Sequence, residues 1–132
     1  MLPVGWAVLL LTAIWSLRAS LAFSAGIAAA NSGDWSTAAR RLEQAVRRDP
    51  HHAYYHLEAG HAHGVLAQDQ PDYLDEAIAH HRVAIARSPN YALNAAHLSV
   101  LLWQVGETDR ALAWMERAVD QAPRSPLFHL NL

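Results

Sequence analysis

From Met1 to Leu17 no position carries charge (MLPVGWAVLLLTAIWSL); Arg18 interrupts, and Ala19 to Gly33 is again uncharged. The run is apolar all the way round, the pattern of a helix surrounded by lipid and not of one lying on a core. After Gly33 the pattern changes to short amphipathic segments with an apolar position every third or fourth residue, which predicts helices. They fall into two sets, 19–31, 52–67 and 91–105, alternating with 37–48, 73–87 and 108–121. Turn chemistry lies between them: Ser32-Gly33-Asp34, the stretch Gln68 to Asp72 with Pro71, and Gly106-Glu107. Gly33 and Gly106 suit the left-handed geometry past a helix end, and Asp34, Ser36 or Thr108 can cap the helix that follows. Asp49-Pro50, Ser88-Pro89 and Ala122-Pro123 stop the second set, because a residue before proline leaves the α region.

The uncharged run is slightly short of the roughly 20 residues a spanning helix needs. Ala19, Leu21, Ala22 and Phe23 extend it if Arg18 snorkels towards headgroups. Trp6 and Trp15 stand near its two ends, where amphipathic rings favour the membrane interface. A permanent anchor is therefore expected over 1–18, extending to about 30. A cleaved signal peptide with Ser20-Leu21-Ala22 as its small-x-small site and a buried core helix are the other readings; no Lys or Arg precedes the apolar run. Arg18 is the one charge close to the segment, and Arg40 and Arg41 are distant in sequence, so the side of the membrane is left open.

The helical part repeats. Ala-[Val/Ile]-x-x-x-Pro recurs as Ala45-Val46…Pro50, Ala84-Ile85…Pro89 and Ala118-Val119…Pro123, and seven residues before each first alanine stands another: Ala38, Ala77 and Ala111. Alanine at these columns lets paired helices approach closely. Leu42, His81 and Met115 are the larger fillers between them.

The pattern resembles the tetratricopeptide repeat, a helix–turn–helix unit with a large residue, a Leu-Gly pair and an aromatic on its first helix, then Ala, a Phe-like residue, Ala and Pro on its second. The matching positions in unit one are Ala22, Ala25-Gly26, Ala29, Ala38, Leu42, Ala45 and Pro50. Those of unit two are His56, Ala59-Gly60, His63, Ala77, His81, Ala84 and Pro89. Unit three has Ala95, Leu98-Ser99, Leu102, Ala111, Met115, Ala118 and Pro123. The resemblance implies an all-α solenoid of three units, 19–52, 53–91 and 92–125. Five extra residues enter unit two near 68–73, and a fourth unit or capping helix opens over 126–132.

Composition narrows the chemistry. The formal charge is −2, so no basic groove for nucleic acid is expected. Cysteine and lysine are absent, which removes thiolate sites, Schiff-base lysines and P-loop lysines. No nucleophile motif or Gly-rich phosphate loop occurs, and no enzyme is expected. Asp72, Asp75 and Glu76 sit at a helix start, where they complement its dipole. Nine histidines are present: His51, His52, His56, His61, His63, His80, His81, His97 and His129. His52 and His56 have the i, i+4 spacing of metal ligands, but no motif supplies a third ligand. His56, His63 and His81 are expected to fill inter-helix positions, with no metal or cofactor. Loosening of unit two below about pH 6.5, as histidines charge, is a further option.

The first helices of such units line a concave groove, as the resemblance implies. Spacing nominates Phe23 and Ile27 in unit one, Tyr54, Leu57 and His61 in unit two, and Leu93, Ala96, Val100 and Trp103 in unit three. This lining is apolar and aromatic and lacks the Lys/Asn/Arg clamp that relatives use for acidic carboxyl termini, so an apolar helix or strand is the expected ligand. Trp35 and Trp114 are assigned to packing between units. The expectation is a membrane-anchored scaffold of a bacterial inner membrane complex, single-pass, with protein partners. Two alternatives stand beside it: a carboxyl-terminal piece of a polytopic glycan polymerase or ligase of the O-antigen type, and an accessory subunit of a larger membrane complex.

Overall fold

In a computed structural model, which describes residues 4–124, the chain forms six α-helices: α1 Val4–Asn31, α2 Trp35–Arg48, α3 Ala53–Leu66, α4 Leu74–Arg87, α5 Ala92–Gln104 and α6 Thr108–Gln121. A single 3₁₀ turn, Pro71–Tyr73, lies between α3 and α4 where the five extra residues were expected. Each helix packs on its chain neighbours, α1 also touches α3, and α3 also touches α5. The result is a stack of three helix pairs, α1/α2, α3/α4 and α5/α6.

The alanine columns make that stack possible. Ala38, Ala45, Ala77, Ala84 and Ala118 have no exposed surface, and Ala111 retains 2%. Leu42, His81 and Met115 are buried between them. The glycines of the first-helix motif explain how the larger fillers fit. A methyl added at Gly26 would lie 2.7 Å from Leu42 Cγ, and one at Gly60 would lie 2.9 Å from His81 Cδ2. In the third pair Ser99 takes the glycine's place and donates its hydroxyl to the Ala111 carbonyl at 2.7 Å.

The turns follow the sequence signals. Gly33 and Gly106 both adopt φ of +80°. Behind them Asp34 N–H returns to the Ala29 carbonyl and Glu107 N–H to the Leu102 carbonyl, closing α1 and α5 in the same way. The Asp34 carboxylate caps α2 by accepting from Thr37 N–H at 3.0 Å. Thr108 does not cap α6; it is the first helical residue, and Glu107 precedes it without a side-chain cap bond. Asp49, Ser88 and Ala122 all leave the helical region before their prolines. The proline turns are tied to the next pair: the Pro89 carbonyl accepts from Arg117 Nη2 at 3.1 Å and Gln121 Nε2 at 2.6 Å.

The expected apolar segment and the first repeat helix are one helix, α1, 28 residues long. Its burial begins at Ala19. From there to Asn31 it packs on α2; Trp6, Val8 to Leu11, Ile14, Trp15 and Leu17 project from the stack at least half exposed. By length and composition Gly5–Asn31 can cross a membrane. Where α2 ends beside α1, Trp15 Nε1 donates to the Arg48 carbonyl at 2.8 Å and Arg48 Nη1 donates to the Arg18 carbonyl at 3.1 Å. The expected fourth unit over 126–132, and His129 with it, lie outside the described residues.

Gly26 and Gly64 separate packing from helix propensity. Alanine is favoured over glycine inside a helix by about 1 kcal/mol, and overpacking a closed core costs about 1–3 kcal/mol. At Gly64 the nearest atom to an added methyl is Leu101 Cδ2 at an ordinary 3.5 Å; at Gly26 the Leu42 backbone nitrogen, 3.3 Å away, limits how far α2 can yield. Thermal melts should show Gly64→Ala stabilised and Gly26→Ala destabilised, with Ala84→Leu destabilised more. Equal melting temperatures for the two glycine variants would contradict this packing.

Candidate functional site

Helices α3 and α5 each present one side to the stack and one to the outside. On the outer side of α3 stand Tyr54, 46% exposed, and His61; on that of α5 stand Val100 and Trp103, 47% and 58% exposed. Three hollows run along these helices. One of about 200 Å³ is lined by Ala53, Tyr54, Leu57, Ser88, Tyr91 and Asn94. A second, about 180 Å³, lies between α3 and α5 with His61, Gly64, Val65, His97, Val100 and Gln104 among its walls. The third, about 340 Å³, shares Val100 and Gln104 and adds Ser99, Trp103 and Met115. No acidic residue and no arginine lines any of the three.

The nominated residues separate by depth. Tyr54, His61, Val100 and Trp103 form the accessible surface. Leu57 is 2% exposed and serves as floor; Ala96 is buried, Leu93 half-buried, and neither lines a hollow. Phe23 and Ile27 pack against the first core cluster, the Phe23 ring stacked on Tyr55 at 4.8 Å. Trp35 meets His61 edge-on at 5.5 Å, and Trp114 of α6 packs against clusters drawn from α4, α5 and α6, with Arg117 over its face at 4.9 Å.

Six of the histidines form two groups on opposite sides of α3. His61 and His97 stack at 5.3 Å, and His97 meets His81 edge-on at 5.2 Å. The second group joins three helices: Glu43 of α2 lies 3.2 Å from His63 Nε2 of α3 and 2.6 Å from His80 Nε2 of α4, through the same oxygen. His80 Nδ1 lies 3.0 Å from His56 Nδ1, and His56 Nε2 donates to the Pro50 carbonyl at 3.1 Å. Hydrogen bonds from His63 and His80 hold the Glu43 carboxyl well below the usual carboxylate range. Burial pushes His56 down. His52 and His56, paired by spacing alone, are not brought together: His52 stacks on Tyr55 at 4.0 Å while His56 turns to His80. Glu43 escaped sequence reasoning because nothing local links it to the histidines.

The model of the tetratricopeptide repeat family matches residues 23–92. The chain belongs to the tetratricopeptide repeat family. Solved TPR structures share its fold. The first TPR of Spaghetti (RPAP3), bound to the HSP90 peptide SRMEEVD, superposes with a TM-score of 0.80 at 15% identity, covering 89% of each chain. MamA does so with a TM-score of 0.74 at 23% identity, over 80% of this chain and 59% of MamA, so the chain spans little more than half of that relative. The type III secretion chaperone SycD of Yersinia enterocolitica, in complex with a peptide of the translocator YopD, gives 0.73 at 18% identity over 85% and 82% of the two chains. No curated protein matches this TPR chain in sequence.

Burial pushes His81 down to about 3 and, helped by neighbouring His61, pushes His97 down to about 4. An unfolded imidazole protonates near pH 6.5. Below that value the unfolded chain therefore binds more protons than the fold, and acidification favours unfolding. The stability from these two neutral rings is complete above about pH 6.5 and shrinks as pH falls, by about 1.4 kcal/mol per pH unit for each ring. Glu43 acts in the same direction only at lower pH, once unfolded carboxylates protonate. The melting temperature should fall between about pH 7 and pH 5, and His97→Leu should flatten that slope. A parent profile flat over this interval would contradict the placement of both rings.

Proposed function

We propose that this chain is a membrane-anchored TPR module that holds an apolar segment of a protein partner on the outer side of α3 and α5. The observation that carries the reading is the run of exposed Tyr54, His61, Val100 and Trp103 over hollows whose lining includes no acidic residue and no arginine among the described residues. Isolated exposed apolar residues need no explanation, but an aligned strip over concave surface is what an amphipathic helix recognises. Two of the similar structures hold peptides, one of them the acidic SRMEEVD. This lining has no arginine to receive such a tail, so the ligand assigned here is apolar, and Trp103 is its central anchor.

The projecting part of α1 supplies the anchor. Its exposed residues, Trp6 to Leu11, Ile14, Trp15 and Leu17 among them, make an apolar surface of the kind a bilayer covers. Arg18, Arg41 and Arg48 line one hollow where α2 ends against α1, at the level where lipid phosphates would meet them. Arg41, distant along the chain, is thus close to Arg18 in space. The stack then stands directly on the membrane and presents its groove to a partner held near the same surface.

Binding of labelled peptides to the full chain in detergent micelles tests the groove. Amphipathic apolar helical peptides should bind, with Trp103→Ala and Val100→Glu each weakening them by about tenfold or more. SRMEEVD should not compete. Competition by SRMEEVD, or apolar binding indifferent to both substitutions, would contradict the reading.

A further inference from the structure

We infer that Glu43, His63 and His80 form a binding site for a zinc-class divalent ion that clips the first helix pair to the second. Glu43 Oε1, His63 Nε2 and His80 Nε2 lie within 4.8 Å of one another and come from α2, α3 and α4. Two imidazoles and a carboxylate are a donor set that suits zinc and its neighbours. Donors around a tetrahedral zinc stand roughly 3.3 Å apart, from bond lengths near 2.0–2.1 Å. The Glu43–His63 separation of 3.2 Å already meets this, and the Glu43–His80 separation of 2.6 Å needs to widen. Glu43 can supply that movement, because its side chain is 27% exposed while the two imidazoles are more buried.

The hydrogen-bond pattern points the same way. The Pro50 carbonyl can only accept, so His56 carries a proton on Nε2 and, when neutral, a lone pair on Nδ1. That lone pair accepts from His80 Nδ1–H, which leaves His80 Nε2 as the nitrogen aimed at the Glu43 carboxylate. Two lone pairs at this distance require an electrophile between them, either a proton or a metal ion. The chain Pro50 carbonyl, His56, His80 is the outer-sphere relay that fixes the tautomer and orientation of a metal-bound histidine. Arg47 approaches the other oxygen of Glu43, at 3.8 Å, and leaves Oε1 to the histidines. One feature works against tight binding: His63 Nδ1 is buried with no hydrogen-bond partner among the described residues. If it must carry the proton when Nε2 binds metal, affinity falls by about ten- to a hundredfold relative to a fully paired site. A micromolar dissociation constant is therefore expected, with three protein ligands and an open fourth position.

The site lies on the side of α3 opposite Tyr54 and His61 and is separate from the groove. Full chain in detergent micelles, stripped with chelator, would be titrated with Zn²⁺ by calorimetry and with Co²⁺ by visible absorption. The expected result is one equivalent bound, tetrahedral Co²⁺ bands, and a melting temperature raised by zinc. His80→Gln and Glu43→Gln should each abolish the bands. His56→Gln should weaken binding by about ten- to a hundredfold through the lost relay, and exposed His51→Gln should change nothing. Glu43→Gln decides the matter if His80→Gln fails to fold, since glutamine keeps the shape of the side chain. Absence of stoichiometric binding by the parent, or binding that survives Glu43→Gln, would overturn the inference.

Discussion

The structure depends on how closely the helices of each pair approach. At Ala38/Ala45, Ala77/Ala84 and Ala111/Ala118 no larger side chain intervenes, and Gly26 and Gly60 open space for Leu42 and His81. The small residues let the pairs close, and Leu42, Leu98, Leu102, His81 and Met115 fill the space around the crossings. Tyr54, Val100 and Trp103 remain about half exposed on the outside, where they can serve recognition.

Helix α1 runs beyond the stack as well as through it. Between Trp6 and Leu17 its side chains are exposed, with Trp15 reaching the end of α2 through its indole N–H; burial begins at Ala19. Backbone hydrogen bonding continues through Arg18, so the stack and the projecting segment move as one body as far as the helix stays intact. Arg48 reinforces the junction by bonding the Arg18 carbonyl while its own carbonyl receives Trp15. In the proposed role, this coupling fixes the groove relative to the membrane plane, as a partner held in the same membrane would require.

What was legible in the sequence was periodic and local. The alanine columns, the glycines at positive φ, the Asp34 cap and the proline stops are each written within a few residues of where they act, and the fold followed from them. The site was legible only in outline. Helical spacing selects a face of α3 and of α5, but cannot tell that Leu57 and Ala96 lie deep while Val100 and Trp103 stand clear, because depth depends on how one pair sits on the next. Glu43 is 20 residues from His63 and 37 from His80. Such a constellation exists only once α2, α3 and α4 converge. The regrouping of His56 with His80, in place of His52, and of Arg41 with Arg18 and Arg48 has the same origin.

Placement of α1 in the bilayer is the central claim, and the absence of native cysteine makes it directly measurable. Single cysteines at Leu10, Ser36 and Trp103 would be tested with a membrane-impermeant maleimide in vesicles opened to both faces. The account predicts that Ser36→Cys and Trp103→Cys label rapidly, while Leu10→Cys stays protected until detergent is added. Labelling of Leu10→Cys at the same rate as the other two, on chains of full mass, would contradict it.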